Sequence, residues 1–339
     1  MSNPLVSIIL TVFNNEASII ETLKAMLNQT YQNIEIIIMD NGSFDNSIPL
    51  LKNYRKKYSN IRVLSEGCLD FIDAQKLALI SSKGKYINFA DCGKLMSPYF
   101  IEYMVSHLEA ENAQIMSCNL FEESVLKIFH EEDIIMESPP EKIEKLTNIQ
   151  YMEHLYAESE HDYQCCTFLW NKLIDKNFLI TSQYIQNKFP LNISYPIISS
   201  KPSTVLTTNQ YLMCNVLYDK FFLENSFNYE HLETIKFMES LLIKYKNEKN
   251  EIAMYNMSIR LLRFLTKVRK QLSFYMLDIF DKEDLQQDTN LKFNSIYKFL
   301  VAKYPDKQPE FENYYDAYKN ILVLESNYKK AQKLKRKGR

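Results

Sequence analysis

Apolar positions along the first 120 or so residues switch between two periods. Residues 6–13 form a nearly unbroken β-branched and apolar run, the pattern of a strand buried on both faces. Residues 18–27 then place Ile19, Ile20, Leu23, Met26 and Leu27 on one helical stripe. A second apolar run at 35–39 closes on the turn sequence Asp40-Asn41-Gly42-Ser43 and is followed by a helix at 47–57. The alternation continues with strands at 61–64, 86–89 and 114–119 and helices at 70–81 and 98–108. This βαβαβαβ order predicts an α/β fold with a mainly parallel sheet and helices on both faces. Such sheets bind ligands beyond the carboxyl ends of their strands. The segments to inspect are therefore 11–15, 40–45, 65–69 and 90–94.

Past Glu122 the pattern weakens, and Ser138-Pro139-Pro140 reads as a loop before a helical stretch at 147–156. Pro190, Pro196 and Pro202 argue against a long helix across 190–208. From Tyr229 the signal is almost purely helical, with Leu241, Leu242, Leu261, Leu262, Phe264, Leu265 and Val268 set among charged residues. The expected organisation is an α/β domain over 1–225, its first half at 1–122, and a helical region over 226–339.

Composition narrows the class. With 46% hydrophobic and 24% charged residues in 339, the chain can bury ordinary globular cores. Its six cysteines show no Cys-x-x-Cys pair and no zinc-like spacing, which suggests reduced thiols in a cytoplasmic protein. No apolar stretch approaches the roughly 20 residues needed to cross a bilayer. Seven Lys and Arg and no acid stand in 329–339, leaving the other 328 residues at a net −9 from 33 basic and 42 acidic side chains. That segregation argues against a nucleic-acid partner for the body. Residues 311–328 read as a helix with Lys329, Lys330, Lys333, Lys335, Arg336, Lys337 and Arg339 crowding its end. The tail is expected to touch an anionic membrane surface, which would make the protein peripheral at the inner face; a solvated helix end is the alternative.

Several blocks together resemble the family 2 glycosyltransferases, which adopt the GT-A nucleotide-diphosphosugar transferase fold. They are Val6-Ser7-Ile8-Ile9-Leu10-Thr11-Val12-Phe13-Asn14-Asn15-Glu16, Leu27-Asn28-Gln29-Thr30-Tyr31-Gln32-Asn33-Ile34-Glu35-Ile36, Asp40-Asn41-Gly42-Ser43-Phe44-Asp45-Asn46-Ser47 and Lys83-Gly84-Lys85-Tyr86-Ile87-Asn88-Phe89-Ala90-Asp91. Trp170-Asn171-Lys172-Leu173 is a fainter echo, and Trp170 itself reads as core. The resemblance implies a nucleotide-diphosphate sugar as donor, with a UDP-sugar favoured, and a glycan, glycolipid or protein acceptor attacked with inversion. It implies nucleotide contacts at Thr11, Phe13, Glu16, Asp40, Asn41, Gln75 and Lys76. Asp40 just past a strand can accept from a uracil imide N–H, and Phe13 offers a stacking face. Asp91 corresponds to the family's metal-and-diphosphate carboxylate.

The chain departs from the family pattern at four places. Asn41 stands where a second acid is usual, and Ala74-Gln75-Lys76 replaces Ala-Arg-Asn. Asp91-Cys92-Gly93-Lys94 replaces Asp-x-Asp-Asp, and Ile193-Ser194-Tyr195-Pro196 lacks the Glu-Asp pair that includes the general base. One carboxylate can still anchor Mg²⁺ or Mn²⁺ on a diphosphate, and Lys94 can supply part of the cation's charge to that diphosphate. Metal dependence is therefore expected to be weak or absent. Glu158, Glu160, His161 and Asp162 cluster in one segment, and Glu160 and Asp162 are the substitute candidates for the base. The competing reading is a catalytically inactive transferase-like protein that binds a nucleotide or a partner enzyme.

Overall fold

The computed structural model describes residues 3–65, 67, 71–124, 140–154, 168–182, 202–217, 230–274 and 282–337. By backbone proximity the chain divides into two compact units, Met1–Tyr218 and Asp219–Arg339.

The first unit is built on one 9-stranded mixed sheet. Its leading elements are β1 (Val6–Val12), α1 (Ile19–Leu27), β2 (Ile34–Asp40), α2 (Ser47–Lys57), β3 (Ile61–Ser65), α3 (Phe71–Ser81) and β4 (Tyr86–Ala90). These strands lie in the order β3-β2-β1-β4, all parallel. All seven residues of β1 are buried, as its unbroken apolar run requires for a strand covered on both faces. Helix α1 turns Ile19, Leu23 and Met26 into the core shared with Val6, Ile8, Leu10 and Val12. Helix α2 adds Leu51 to the same core. The return from β3 to β4 passes back across β2 and β1, so a right-handed crossover puts α3 on the opposite face. There Ala74, Ala78 and Leu79 are buried outside that core cluster, and α3 packs on β1 and β2.

The far half of the sheet reverses direction. β5 (Lys94–Met96), α4 (Phe100–Glu111), β6 (Ile115–Ser124), β7 (Ile143–Thr147), α5 (Asn148–His154), β8 (Lys172–Asp175), α6 (Lys176–Thr181) and β9 (Thr204–Leu217) complete the unit. β8 runs antiparallel between β4 and β6, and the 14-residue β9 joins β6, β5 and β7. Sequence periodicity did not reveal β5, β7, β8 or β9. Three are only 3 to 5 residues long, and in β9 Thr207, Thr208, Asn209 and Gln210 interrupt the apolar run.

Entry into β4 depends on a close backbone approach. Gly84 donates its N–H to Ser7 Oγ at 2.8 Å, and Lys85 N–H reaches Leu5 O at 2.7 Å. Ser7 Oγ in turn donates to Glu35 Oε1, which also accepts from Lys83 N–H, each at 2.5 Å. A Cβ on Gly84 would stand 2.5 Å from Ser7 N and 2.9 Å from Leu5 O, both backbone atoms.

The second unit holds α7 (Glu230–Asn247), α8 (Glu251–Phe274), α9 (Lys282–Lys303) and α10 (Gln308–Lys337), with a short 3₁₀ turn at Pro305–Lys307. α8 packs against the other three helices and buries Leu261, Leu262, Leu265, Val268 and Leu272 completely. Arg269 of α8 pairs with Glu325 of α10 at 2.5 Å, both side chains almost wholly buried. Its Nε also reaches Asn290 Oδ1 of α9 at 3.0 Å, so one guanidinium ties three helices together. Phe293 stacks on Tyr318 at 3.7 Å and Tyr297 on Tyr315 at 4.1 Å, locking α9 to α10. Helix α10 runs past residue 328 to Lys337, because Ala, Gln, Leu, Lys and Arg are all strong helix formers. Among the described residues no helix is long and apolar enough to cross a membrane.

Replacing Gly84 by alanine should force β4 away from β1 and destabilise the first unit by about 1–3 kcal/mol, the usual cost of overpacking. Denaturant unfolding of the full chain measures it. An unchanged midpoint would show that the 83–85 segment can shift freely.

Candidate functional site

In-register pairing aligns the carboxyl ends of the parallel strands. Val12 pairs with Asp40 and Asp40 with Ser65, while Leu10 pairs with Ala90. The segments that begin at Phe13, Asn41 and Asp91 therefore leave the same edge of the sheet. Strand order reverses at β1, whose neighbours are β2 and β4, so the crevice expected of a doubly wound sheet opens between the ends of β1 and β4.

Two of these loops are stitched together by their own side chains. Asn14, at φ 54°, donates its N–H to Ser43 Oγ and accepts from Phe44 N–H, each at 3.0 Å. Asn15 N–H reaches Ser47 Oγ at 3.0 Å, and Glu16 N–H reaches Asp45 Oδ2 at 3.0 Å. In return Glu16 Oε2 accepts from Asn46 N–H at 2.8 Å and from Asn46 Nδ2 at 2.9 Å. Asp45 also accepts from Ser47 N–H at 2.9 Å. Partial desolvation pulls the Asp45 carboxyl upward, but the hydrogen bonds from Glu16 and Ser47 outweigh it and hold the group below its ordinary range. Phe13 and Phe44 meet on top of this lattice, edge to face, with centroids 6.0 Å apart and planes at 80°.

Beneath the loops, Asp40 is 1% exposed and accepts from Gly42 N–H and Ser43 N–H, both at 3.3 Å. Gly42 stands at φ 86°, which lets the chain fold back over the carboxylate without a Cβ in the way. A carboxylate has about four acceptor positions, so Asp40 can shape the turn and still receive a donor from a ligand. Asn41 is buried and its N–H bonds to Val12 O at 2.8 Å. Thr11 is 3% exposed, and its hydroxyl is one of the few buried polar atoms among the described residues without a protein partner. Strand alternation puts it on the face covered by α3, the helix that carries buried Gln75 and half-buried Lys76.

On the other side of the crevice, the turn Asp91-Cys92-Gly93-Lys94 is pinned to α1 by Gly93 N–H on Thr22 Oγ1 at 3.0 Å. Lys94 N–H closes the turn on Asp91 O at 3.1 Å. Close packing pushes the Asp91 carboxyl up, against the pull of the Lys94 ammonium and of Cys92 N–H. The Lys94 ammonium stands 5.5 Å from the centre of the Trp170 ring, itself stacked on Phe168 at 5.4 Å. Trp170 is buried, 3% exposed, as its core reading predicted. Behind it Lys172 is wholly buried and donates to Phe168 O at 2.5 Å and Asn171 Oδ1 at 2.8 Å.

The sheet thus brings Thr11, Phe13, Asp40, Asn41, Asp91 and Lys94 to one edge. Glu16 belongs to the same edge, with its carboxylate engaged by Asn46. Glu158, Glu160, His161 and Asp162 lie outside the described residues. Sequence reasoning missed the stitching role of Ser43, Asp45, Asn46 and Ser47. The signal was there: two short polar runs, each following a strand, dense in Asn, Ser, Asp and Glu that favour local backbone bonds.

With this geometry in hand, comparison with known proteins is informative. The profile described as Glycosyl transferase family 2 matches residues 7–178, just over half of the chain. A cholesterol galactosyltransferase from Borreliella burgdorferi is 25% identical over 215 residues, covering 62% of this chain and 59% of that protein. The chain spans less than two thirds of the length of the curated relatives it matches. Among solved structures, S. aureus TarS 1-349 in complex with UDP-GlcNAc superposes with a TM-score of 0.54 at 11% identity, covering 96% of this chain and 92% of that one. A mannosyltransferase from Pyrobaculum calidifontis in complex with GDP-Man and Mn²⁺ gives 0.52 at 12% identity, covering 94% and 86%. These likenesses extend the fold match well beyond the segment that the family profile covers.

The stitched loops predict a pH signature. Asp45→Asn should lower the melting temperature at neutral pH, because a depressed carboxyl stabilises the fold only while ionised. The deficit should close as pH falls through the carboxylate range and the wild-type group protonates. A gap that stays constant down to acid pH would show that Asp45 does not hold the loops through its charge.

Proposed function

Because the chain belongs to glycosyl transferase family 2, we propose that it moves a sugar from a nucleoside diphosphate donor to a hydroxyl of a glycan, lipid-linked or protein acceptor, with inversion at the sugar carbon. The observation that carries this reading is the alignment of Thr11, Asp40 and Asp91 at one sheet edge beside the strand-order reversal. In this reading the base enters the crevice, its imide N–H goes to Asp40, and the Thr11 hydroxyl gains the partner it lacks in the protein. A uridine nucleotide is favoured, since an acceptor carboxylate suits an imide donor. Gln75 and Lys76, early on α3, would line the same side.

Lys94 is the group that meets the diphosphate. An ammonium fixed beside the leaving group stabilises the charge that develops as the sugar–oxygen bond breaks. Asp91 is the carboxylate that the resemblance offers to a divalent ion. Among the described residues no three His, Cys, Asp or Glu side chains cluster to hold a metal. Mg²⁺ or Mn²⁺ would rest on Asp91 and on the donor's own oxygens, adding positive charge that Lys94 already supplies in part. The acceptor hydroxyl loses its proton to a carboxylate, for which Glu160 and Asp162 are the candidates, and its oxygen then displaces the nucleoside diphosphate.

Incubating the full chain with a panel of sugar nucleotides and scoring nucleotide release tests the reading. Release from a UDP-sugar should survive chelation of divalent ions, and Lys94→Ala should lower that release about 100-fold, as removal of one charge-stabilising donor does elsewhere. Strict metal dependence with an indifferent Lys94→Ala variant would overturn the role of Lys94. Tight binding without release from any donor would favour the inactive, nucleotide-binding alternative.

The basic end of α10 supports a second, separable part of this proposal: attraction to an anionic membrane that carries lipid-linked acceptors. About 1 kcal/mol per engaged basic residue enriches the protein at such a surface without anchoring it. The full chain should therefore co-sediment with anionic vesicles but not neutral ones, increasingly less as salt rises, and a chain ending at Tyr328 should lose the effect. Equal sedimentation of both chains would remove the membrane from the account.

A further inference from the structure

The Phe13–Phe44 pair stands at the surface of the stitched loops. Phe44 is 84% exposed and gains little from burial where it stands, and Phe13 keeps 45% of its surface exposed. The backbone beneath them is held in place by side-chain hydrogen bonds. Phe13 N–H is held by Asn15 Oδ1 at 2.9 Å and Phe44 N–H by Asn14 Oδ1 at 3.0 Å. Asn14, between them in space, adopts a left-handed conformation uncommon for a residue with a side chain. Side-chain-mediated ordering of a loop whose tips display bare aromatic rings is what a ligand-binding edge requires and a core does not.

The geometry narrows the ligand. Rings 6.0 Å apart at 80° form a corner with one floor and one wall. A planar heteroaromatic ring fits such a corner by stacking on the floor while the wall meets its edge, both of which are favoured aromatic arrangements. A protein partner would call for a broader apolar patch. In the described loops that follow β1, β2, β3 and β4, Phe13 and Phe44 are the only exposed large apolar residues. Phe13 also follows β1 directly, two residues after Thr11, whose buried hydroxyl is unpartnered. An exposed aromatic corner two residues along the chain from an unused polar atom matches a nucleobase, which is flat, stackable and polar at its rim.

Building on the donor-binding reading above, we propose that Phe44 is a base-recognition residue: the donor's nucleobase stacks on Phe13 and is walled edge-on by Phe44. The family resemblance assigned no role to position 44, and both rings are needed for the corner.

Calorimetric titration of the full chain with UDP, GDP and inorganic pyrophosphate tests this. An aromatic contact of this kind corresponds to about a 2- to 12-fold change in affinity. Phe44→Ala should weaken nucleoside diphosphate binding by that factor, leave pyrophosphate binding unchanged and leave the melting temperature of the free protein unchanged. Phe44→Tyr, which keeps the ring, should bind as the wild type does. Wild-type affinity in Phe44→Ala for every nucleotide that the parent binds would overturn the proposal and leave the donor site standing. Equal loss for nucleotide and pyrophosphate would also overturn it, because the substitution would then have disturbed the loop. Failure of the wild-type chain to bind any nucleoside diphosphate would remove both this proposal and the reading it rests on.

Discussion

The structure of the first unit depends on β1 being hydrogen-bonded in parallel register to β2 on one side and β4 on the other. Parallel neighbours cannot be joined by a tight turn, so each connection must cross over through a helix. That single constraint buries β1 on both faces and sends the carboxyl ends of β1, β2, β3 and β4 to the same edge. It also places the reversal of strand order beside β1. The site follows from it: Phe13, Asn41 and Asp91 each occupy the first position after a strand, and their proximity comes from register, not from sequence distance.

What stands on that edge combines rigidity with incomplete satisfaction. The loops after β1 and β2 are closed by reciprocal side-chain-to-backbone bonds, which fix them before any ligand arrives. Preordering of this sort lowers the entropy cost of binding. Against this background Thr11 keeps a buried hydroxyl without a partner, and Asp91 keeps a carboxyl that its packed surroundings disfavour as an anion. Both features lower stability in the free protein. Groups held at such a cost cluster at functional sites, where a ligand completes them. Lys94 beside Asp91 gives this edge a cation at the position where the family resemblance leads one to expect an acid.

The part of the fold legible in the sequence was the part with long, uniform periods. β1 to β4 and α1 to α4 could be read because each strand is a short apolar run, and each helix an apolar stripe at period 3.6, bounded by turn residues. In the second unit the periodicity marked a helical region from residue 226 and one helix at 311–328, and its division into four helices was not read. β5 is three residues long and gives no period at all, so Lys94 read as a loop residue when it begins a strand. β9 hides its strand character because its two central neighbours differ in direction and its polar residues interrupt the apolar run. For the site, strand-end logic located Thr11, Asp40 and Asp91. The engagement of Glu16 with Asn46 lay beyond it, because that bond joins loops 30 residues apart. The Arg269–Glu325 pair was equally invisible, since two charges 56 positions apart on amphipathic helices look like surface residues until the helices pack.

The central claim is that a nucleoside diphosphate lies across the shared strand-end edge of the first unit. Amide hydrogen exchange of the full chain, compared with and without saturating UDP, addresses it directly. The account predicts slowed exchange concentrated at residues 11–16, 40–47 and 91–94, with the helices of the second unit unaffected. Protection centred on the second unit, or no protection at these three segments under saturating nucleotide, would contradict it.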